Sequence, residues 1–114
     1  MKHFWKIALA VWIVAICAGS LWPLSGPVMP GGDKIQHLLG YAGLAFLAAQ
    51  AFRPRPAVWL FASSIGILLE FAQALTPWRS FEVADMLANA LGALLGLLAA
   101  LLWRMFFLRN ASSA

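Results

Sequence analysis

The chain has 114 residues, of which 63% are apolar and 11% charged, and its mean hydropathy is +0.84; soluble domains carry about a quarter of their residues as charges. That composition excludes a soluble enzyme or binding module and requires a protein embedded in a membrane. The formal net charge of +4 is split among separate flanks with no stacking platform or recognition helix, which argues against nucleic acid as a partner and for topology and anionic-lipid contact.

Four stretches approach the ~20 apolar residues that a helix needs to cross ~30 Å of hydrocarbon. They run roughly from Phe4 to Leu21, Ile35 to Phe52, Ala57 to Thr76 and Met86 to Phe106. With only short connections left over, residues 1–114 read as a single all-α domain, an integral-membrane four-helix bundle.

The first stretch follows Lys2 and Lys6, a pattern shared with signal peptides. No good small-x-small cleavage site follows, and Val14-Ala15-Ile16-Cys17 lacks the small residue that precedes a lipoprotein cysteine, so a retained helix is expected. Cys17 has no intrachain disulfide partner and reads as a small buried apolar side chain. Trp22-Pro23 ends the helix, and Ser25 to Gly32, rich in Gly and Pro, forms a loop lying over the bundle.

Lys and Arg in short loops are retained in the cytoplasm. Lys2, Lys6, Arg53, Arg55, Arg104 and Arg109 all fall on one side if the chain starts and ends inside. Trp5, Trp59 and Trp103 then lie near the inner interface and Trp22 and Trp78 near the outer one, the level their amphipathic rings prefer. The expected topology is N-in, C-in. Lys34 and Arg79 fall outside, together with all four acidic residues, Asp33, Glu70, Glu82 and Asp85.

In the second stretch, i, i+4, i+8 spacing aligns Asp33, His37 and Tyr41 in one stripe. His37 lies about 6 Å and Tyr41 about 12 Å below Asp33. Helix capping explains Asp33 without a functional role, but does not explain His37. In the third stretch Ser63, Gly66, Glu70 and Gln73 share a face. Glu70 lies about 9 Å inside the helix end near Thr76, where a carboxylate must face the bundle interior. Its burial points to a specific partner among His37, Lys34 and Arg79. Gln73 serves equally as interhelical hydrogen-bond glue.

The third connection supplies Pro77, Trp78, Arg79 and Glu82. Asp85 and Asn89 then enter the fourth stretch, on a face shared with Gly92 and Gly96. The two glycines form a GxxxG pair, extended by Ala88 and Ala99, that lets another backbone come close. Asp33, Lys34, His37, Tyr41, Glu70, Gln73, Arg79, Asp85 and Asn89 therefore converge at one end of the bundle. Such a set suits recognition of a phosphate or carboxylate headgroup, proton relay, or metal binding. One histidine near Glu70 and Asp85 is a weak metal signature, so neither a metal nor another cofactor is expected.

Two blocks carry a resemblance. Asp33-Lys34-Ile35-Gln36-His37-Leu38-Leu39-Gly40-Tyr41 resembles the D-K-x-x-H-x-x-x-Y opening of the VanZ-like membrane proteins. Glu70 and Gln73 through Arg79, Glu82, Asp85, Asn89, Gly92 and Gly96 resemble the second block of that family. The resemblance covers the second to fourth helices. It implies a small bacterial inner-membrane protein linked to the cell envelope, one relative of which lowers sensitivity to the lipoglycopeptide teicoplanin; it assigns no reaction.

Three functions are open at this stage. The first is a noncatalytic envelope factor whose outer-leaflet pocket binds a lipid headgroup or lipid-linked envelope precursor. In it Lys34 and Arg79 engage the anion, Asp85 and Glu82 hold Arg79, and Asp33, Tyr41, Gln73 and Asn89 complete the lining. The second is an enzyme in which His37, oriented by Glu70 or Asp85, acts as acid or base on a phosphate or acyl ester. The absence of a convincing Ser, Thr or Cys nucleophile beside His37 leans the balance against it. The third is a structural scaffold that binds a membrane-protein partner or a second copy of itself as a homodimer.

Overall fold

The structure, a computed structural model, describes residues 2–21, 32–78 and 81–113. It contains four helices, α1 (Lys2–Leu21), α2 (Gly32–Phe52), α3 (Pro56–Ala74) and α4 (Val83–Ser113), and no strand among the described residues. All four are long and apolar enough to cross a membrane, over His3–Leu21, Lys34–Phe52, Pro56–Ala74 and Val83–Phe107. The protein is a multi-pass helical membrane protein.

The helix ends follow local chemistry. α1 stops at Leu21, just before Trp22-Pro23; the expected loop from Ser25 lies outside the described residues up to Gly32, which opens α2. Arg53-Pro54-Arg55-Pro56 separates α2 from α3. Arg53 takes φ 123°, its N–H still bonded to Ala49 O at 2.9 Å, and Pro56 occupies the first turn of α3, where a missing N–H costs nothing. α3 ends at Ala74, short of the expected Thr76, because the residue before a proline is disfavoured in helical conformation. The chain leaves through a tightened turn in which Thr76 Oγ1 donates to Gln73 O at 2.7 Å. α4 starts three residues earlier than expected and runs past Phe106, since Phe107-Leu108-Arg109-Asn110 contains no Gly or Pro to stop it.

α2 and α4 form the most extensive interface. Their N-termini meet, through Lys34 and Asp85, so the two helices run parallel. α1 packs on α2, and α3 packs mainly on α4. The close approach of the central pair is made by Gly92 and Gly96. A Cβ at Gly92 would stand 2.2 Å from Leu38 O, and one at Gly96 would stand 2.0 Å from Ala42 O. Backbone cannot yield as a flexible side chain does, so only glycine fits at either position. The small-residue face continues through buried Ala93 and Ala100; Ala99, expected on it, is exposed.

The remaining core is mainly aliphatic, with Leu44, Ala45, Ala48 and Ala49 of α2 at its centre beside the ring of Tyr41. Indole N–H groups tie the outer helices to it. Trp12 of α1 donates to Gly40 O at 2.8 Å, and Trp59 of α3 donates to Ala90 O at 2.9 Å. Trp5 and Trp103 both meet the Phe46 ring edge-on, which gathers α1, α2 and α4 at the basic end. Cys17 is half-buried rather than buried, beside an apolar surface groove of α1.

Candidate functional site

Because α2 and α4 run parallel with their N-termini level, the polar openings of both helices stand side by side. Lys34, the third residue of α2, reaches across to α4. Its ammonium pairs with the Glu82 carboxylate and lies 2.6 Å from Asp85 Oδ1, an ion pair without the alignment of a hydrogen bond. One turn deeper, His37 faces the same helix. Its Nδ1 lies 2.8 Å from Asn89 Oδ1, so a proton on that nitrogen is donated to the amide carbonyl; its Nε2 lies 3.6 Å from Asp85 Oδ2. Asp85 thus stands between the ammonium and the imidazole, with its side chain 8% exposed. Tyr41, one turn deeper again, stacks on His37 with ring planes 6° apart and is buried. The i, i+4, i+8 stripe is therefore real from His37 to Tyr41. Asp33 sits in the first turn of α2, and its side chain lies outside the described residues.

α3 closes the cluster from the other side. Glu70 is 1% exposed and does not pair with Lys34. Its Oε1 accepts the backbone N–H of Glu82 at 2.7 Å, immediately before α4 begins. A carboxylate there satisfies a donor at the helix start and lies at the favourable end of the α4 dipole. Its Oε2 has no hydrogen-bond partner among the described residues, nor does Nδ2 of the equally buried Asn89. Gly66 makes room for that amide: a Cβ there would lie 2.9 Å from Asn89 Nδ2. Gln73 turns away from this group and donates to Ser20 O of α1 at 2.8 Å. Trp78 donates to Leu21 O at 3.3 Å, so the end of α1 is fastened at two neighbouring carbonyls.

Beside His37 a pocket of about 160 Å³ opens between α1, α2 and α3. Its lining mixes the polar residues Ser20, Gln36, His37, Tyr41 and Gln73 with Ala15, Ile16, Gly19 and Gly40. Gln36 and Ser20 were not singled out from sequence. Gln36 adjoins the stripe without sharing its period, and Ser20 meets Gln73 through a backbone carbonyl that any residue would supply. Arg79, expected between Asp85 and Glu82, lies outside the described residues. Glu82 and Asp85 both engage Lys34. No group of three or more His, Cys, Asp or Glu side chains suited to hold a metal occurs among the described residues.

Four membrane-crossing helices around a parallel, glycine-packed central pair, with the acidic residues gathered at one end and most of the cations at the other, define a small polytopic membrane protein. The chain belongs to the VanZ/LLP1 family, whose sequence profile matches residues 2–104. It matches no curated protein and no solved structure.

Proposed function

We propose that this protein resides in the bacterial cytoplasmic membrane with its polar end facing the extracytoplasmic side, where it binds the headgroup of a membrane lipid or lipid-linked envelope precursor. The observation that carries the reading is the pocket beside His37. Its lining mixes amides, an imidazole and a phenol with Ala15, Ile16 and two glycines, and it lies between helices at the end that carries the acidic residues. A ligand with a polar head and an apolar stem matches that mixture. The Lys34–Glu82–Asp85–His37 group borders it and fixes the imidazole that faces the ligand. Altered sensitivity to glycopeptides or lipoglycopeptides would follow from sequestering or presenting such a precursor.

Native mass spectrometry of gently purified protein tests this directly. A copurified polyprenyl or glycolipid species is expected, retained in Leu98→Ala and lost in His37→Leu and Arg79→Ala. Wild-type protein carrying only bulk phospholipid, unchanged by those substitutions, would sink the reading.

A catalytic version has one observation in its favour, the Asp85 carboxylate held beside His37 Nε2, an arrangement that orients general acids and bases. Against it, both ring nitrogens already face protein oxygens. Turnover of the copurified lipid on incubation separates an enzyme from a binding protein.

A further inference from the structure

We propose a second lipid site at the opposite, basic end of the bundle: a slot between α2 and α3 that seats an acyl chain of an anionic phospholipid while Arg55 holds its phosphate. This site is independent of the polar pocket and of what binds there.

The slot has a volume of about 310 Å³ and is lined by Ala48, Phe52, Ala57, Val58, Phe61 and Arg55. Its shape follows from side-chain size. α2 and α3 meet over a much smaller area than α2 and α4, and alanines at 48 and 57 leave a gap flanked by Phe52 and Phe61. Its polarity runs in one direction. Arg55 stands at the rim, immediately before α3, whereas Phe61 lies about 7.5 Å further along α3 than Pro56 and Ala48 lies about 6 Å back along α2 from Phe52. A guanidinium at the mouth and hydrocarbon below reproduce the order of a phospholipid, phosphate outermost and methylenes inward.

Charge supports the same occupant. Lys6 lies over the Phe52 ring, 5.5 Å from its centroid, and Arg53 stands two residues from Arg55. All four acidic residues of the chain lie toward the other end, so no carboxylate of the sequence competes for these cations. Basic pockets between membrane helices recognise anionic headgroups on these grounds, and Arg binds phosphate through a planar fork. A zwitterionic lipid would bring its own ammonium to the same cations and gain less.

The experiment uses the full chain, delipidated in detergent and re-exposed to phosphatidylglycerol or phosphatidylcholine, with bound lipid counted by native mass spectrometry. Wild type is expected to retain phosphatidylglycerol about tenfold better, a difference of about 1.4 kcal/mol. Arg55→Gln should reduce retention to the phosphatidylcholine level, and Arg104→Gln, which removes the same charge at that end but outside the slot, should not. Ala57→Phe, at an exposed slot position, should block binding with Arg55 intact and serves as the readout if Arg55→Gln fails to fold. Millimolar inorganic phosphate should leave the lipid in place, because the chain contributes to its hold. Equal retention of both lipids, equal loss in Arg55→Gln and Arg104→Gln, full retention in Ala57→Phe, or displacement by phosphate alone would each overturn the site.

Discussion

Glu70 and His37 show how differently two ionisable groups can be used within one cluster. Glu70 has a partner that is not a side chain: its Oε1 receives the Glu82 N–H. Glu70→Gln keeps a carbonyl oxygen for that donor and should lose less than about 1 kcal/mol, whereas Glu70→Ala strands a backbone N–H and should cost about 1–3 kcal/mol. Unfolding in detergent, with the polar-site phenotype measured in parallel, separates stability from function. Equal losses for the two variants would show that charge, not the tether, is what Glu70 contributes. His37 instead bridges two α4 side chains. If it positions ligand, His37→Gln or His37→Asn should keep a substantial part of lipid retention and antibiotic phenotype while His37→Leu loses both. If it transfers protons, the amides should fail as completely as leucine, because they cannot titrate. Full function in His37→Leu would remove His37 from the site. Sequence periodicity was enough to align His37 with Tyr41 and Asp85 with Asn89. It could not reveal Glu70's partner, because every residue but proline has the same backbone N–H, nor that Lys34 would pair with both Glu82 and Asp85.

At the level of elements, the parallel α2–α4 pair is what makes the cluster possible, since it places two helix N-termini at the same height. Hydropathy alone specifies that four helices cross and that neighbours in sequence run antiparallel. It does not specify which helices pack most closely, because lipid is as apolar as leucine and burial provides no driving force between helices. The GxxxG face of α4 showed that a backbone must approach there, but not which one. The structure supplies it as the carbonyls of Leu38 and Ala42. Gly92→Ala and Gly96→Ala should each therefore cost about 1–3 kcal/mol through overpacking against backbone, and Gly92→Leu more. Leu98→Ala, on the exposed face, should be near neutral. Thermal unfolding in detergent measures the series, and a tolerated Gly96→Ala would contradict the interface. A separate effect belongs to the α2–α3 turn, where Arg53 holds φ 123°. Arg53→Gly should relieve about 1 kcal/mol of backbone strain, visible as a raised unfolding temperature.

For the whole molecule, the two ends are chemically opposite: acids and amides gather where α2 and α4 begin, cations and aromatic rings where they finish. That asymmetry was the most legible property of the sequence, since it needs only the order of apolar segments and the positions of charges. It also predicts which way the protein sits. Lys2, Lys6, Arg53, Arg55, Arg104 and Arg109 all belong to the end formed by the start of α1, the α2–α3 turn and the far end of α4. Only Lys34 and Arg79 belong to the other, and Lys34 is paired with Glu82 and Asp85, so its charge is compensated locally. The retention of cations in short flanks on the cytoplasmic side then strongly favours the basic end inside. A reporter fused after Ala114 should be cytoplasmic, and one inserted near Gly26 extracytoplasmic. Moving the bias tests its cause: Lys2→Gln, Lys6→Gln, Arg53→Gln and Arg55→Gln together should produce a mixed population, because the difference between the ends is then nearly abolished. Both reporters on one side in the wild type would contradict the four-span topology, and a clean inversion would place the His37 pocket in the cytoplasm and remove the basis for an extracytoplasmic ligand.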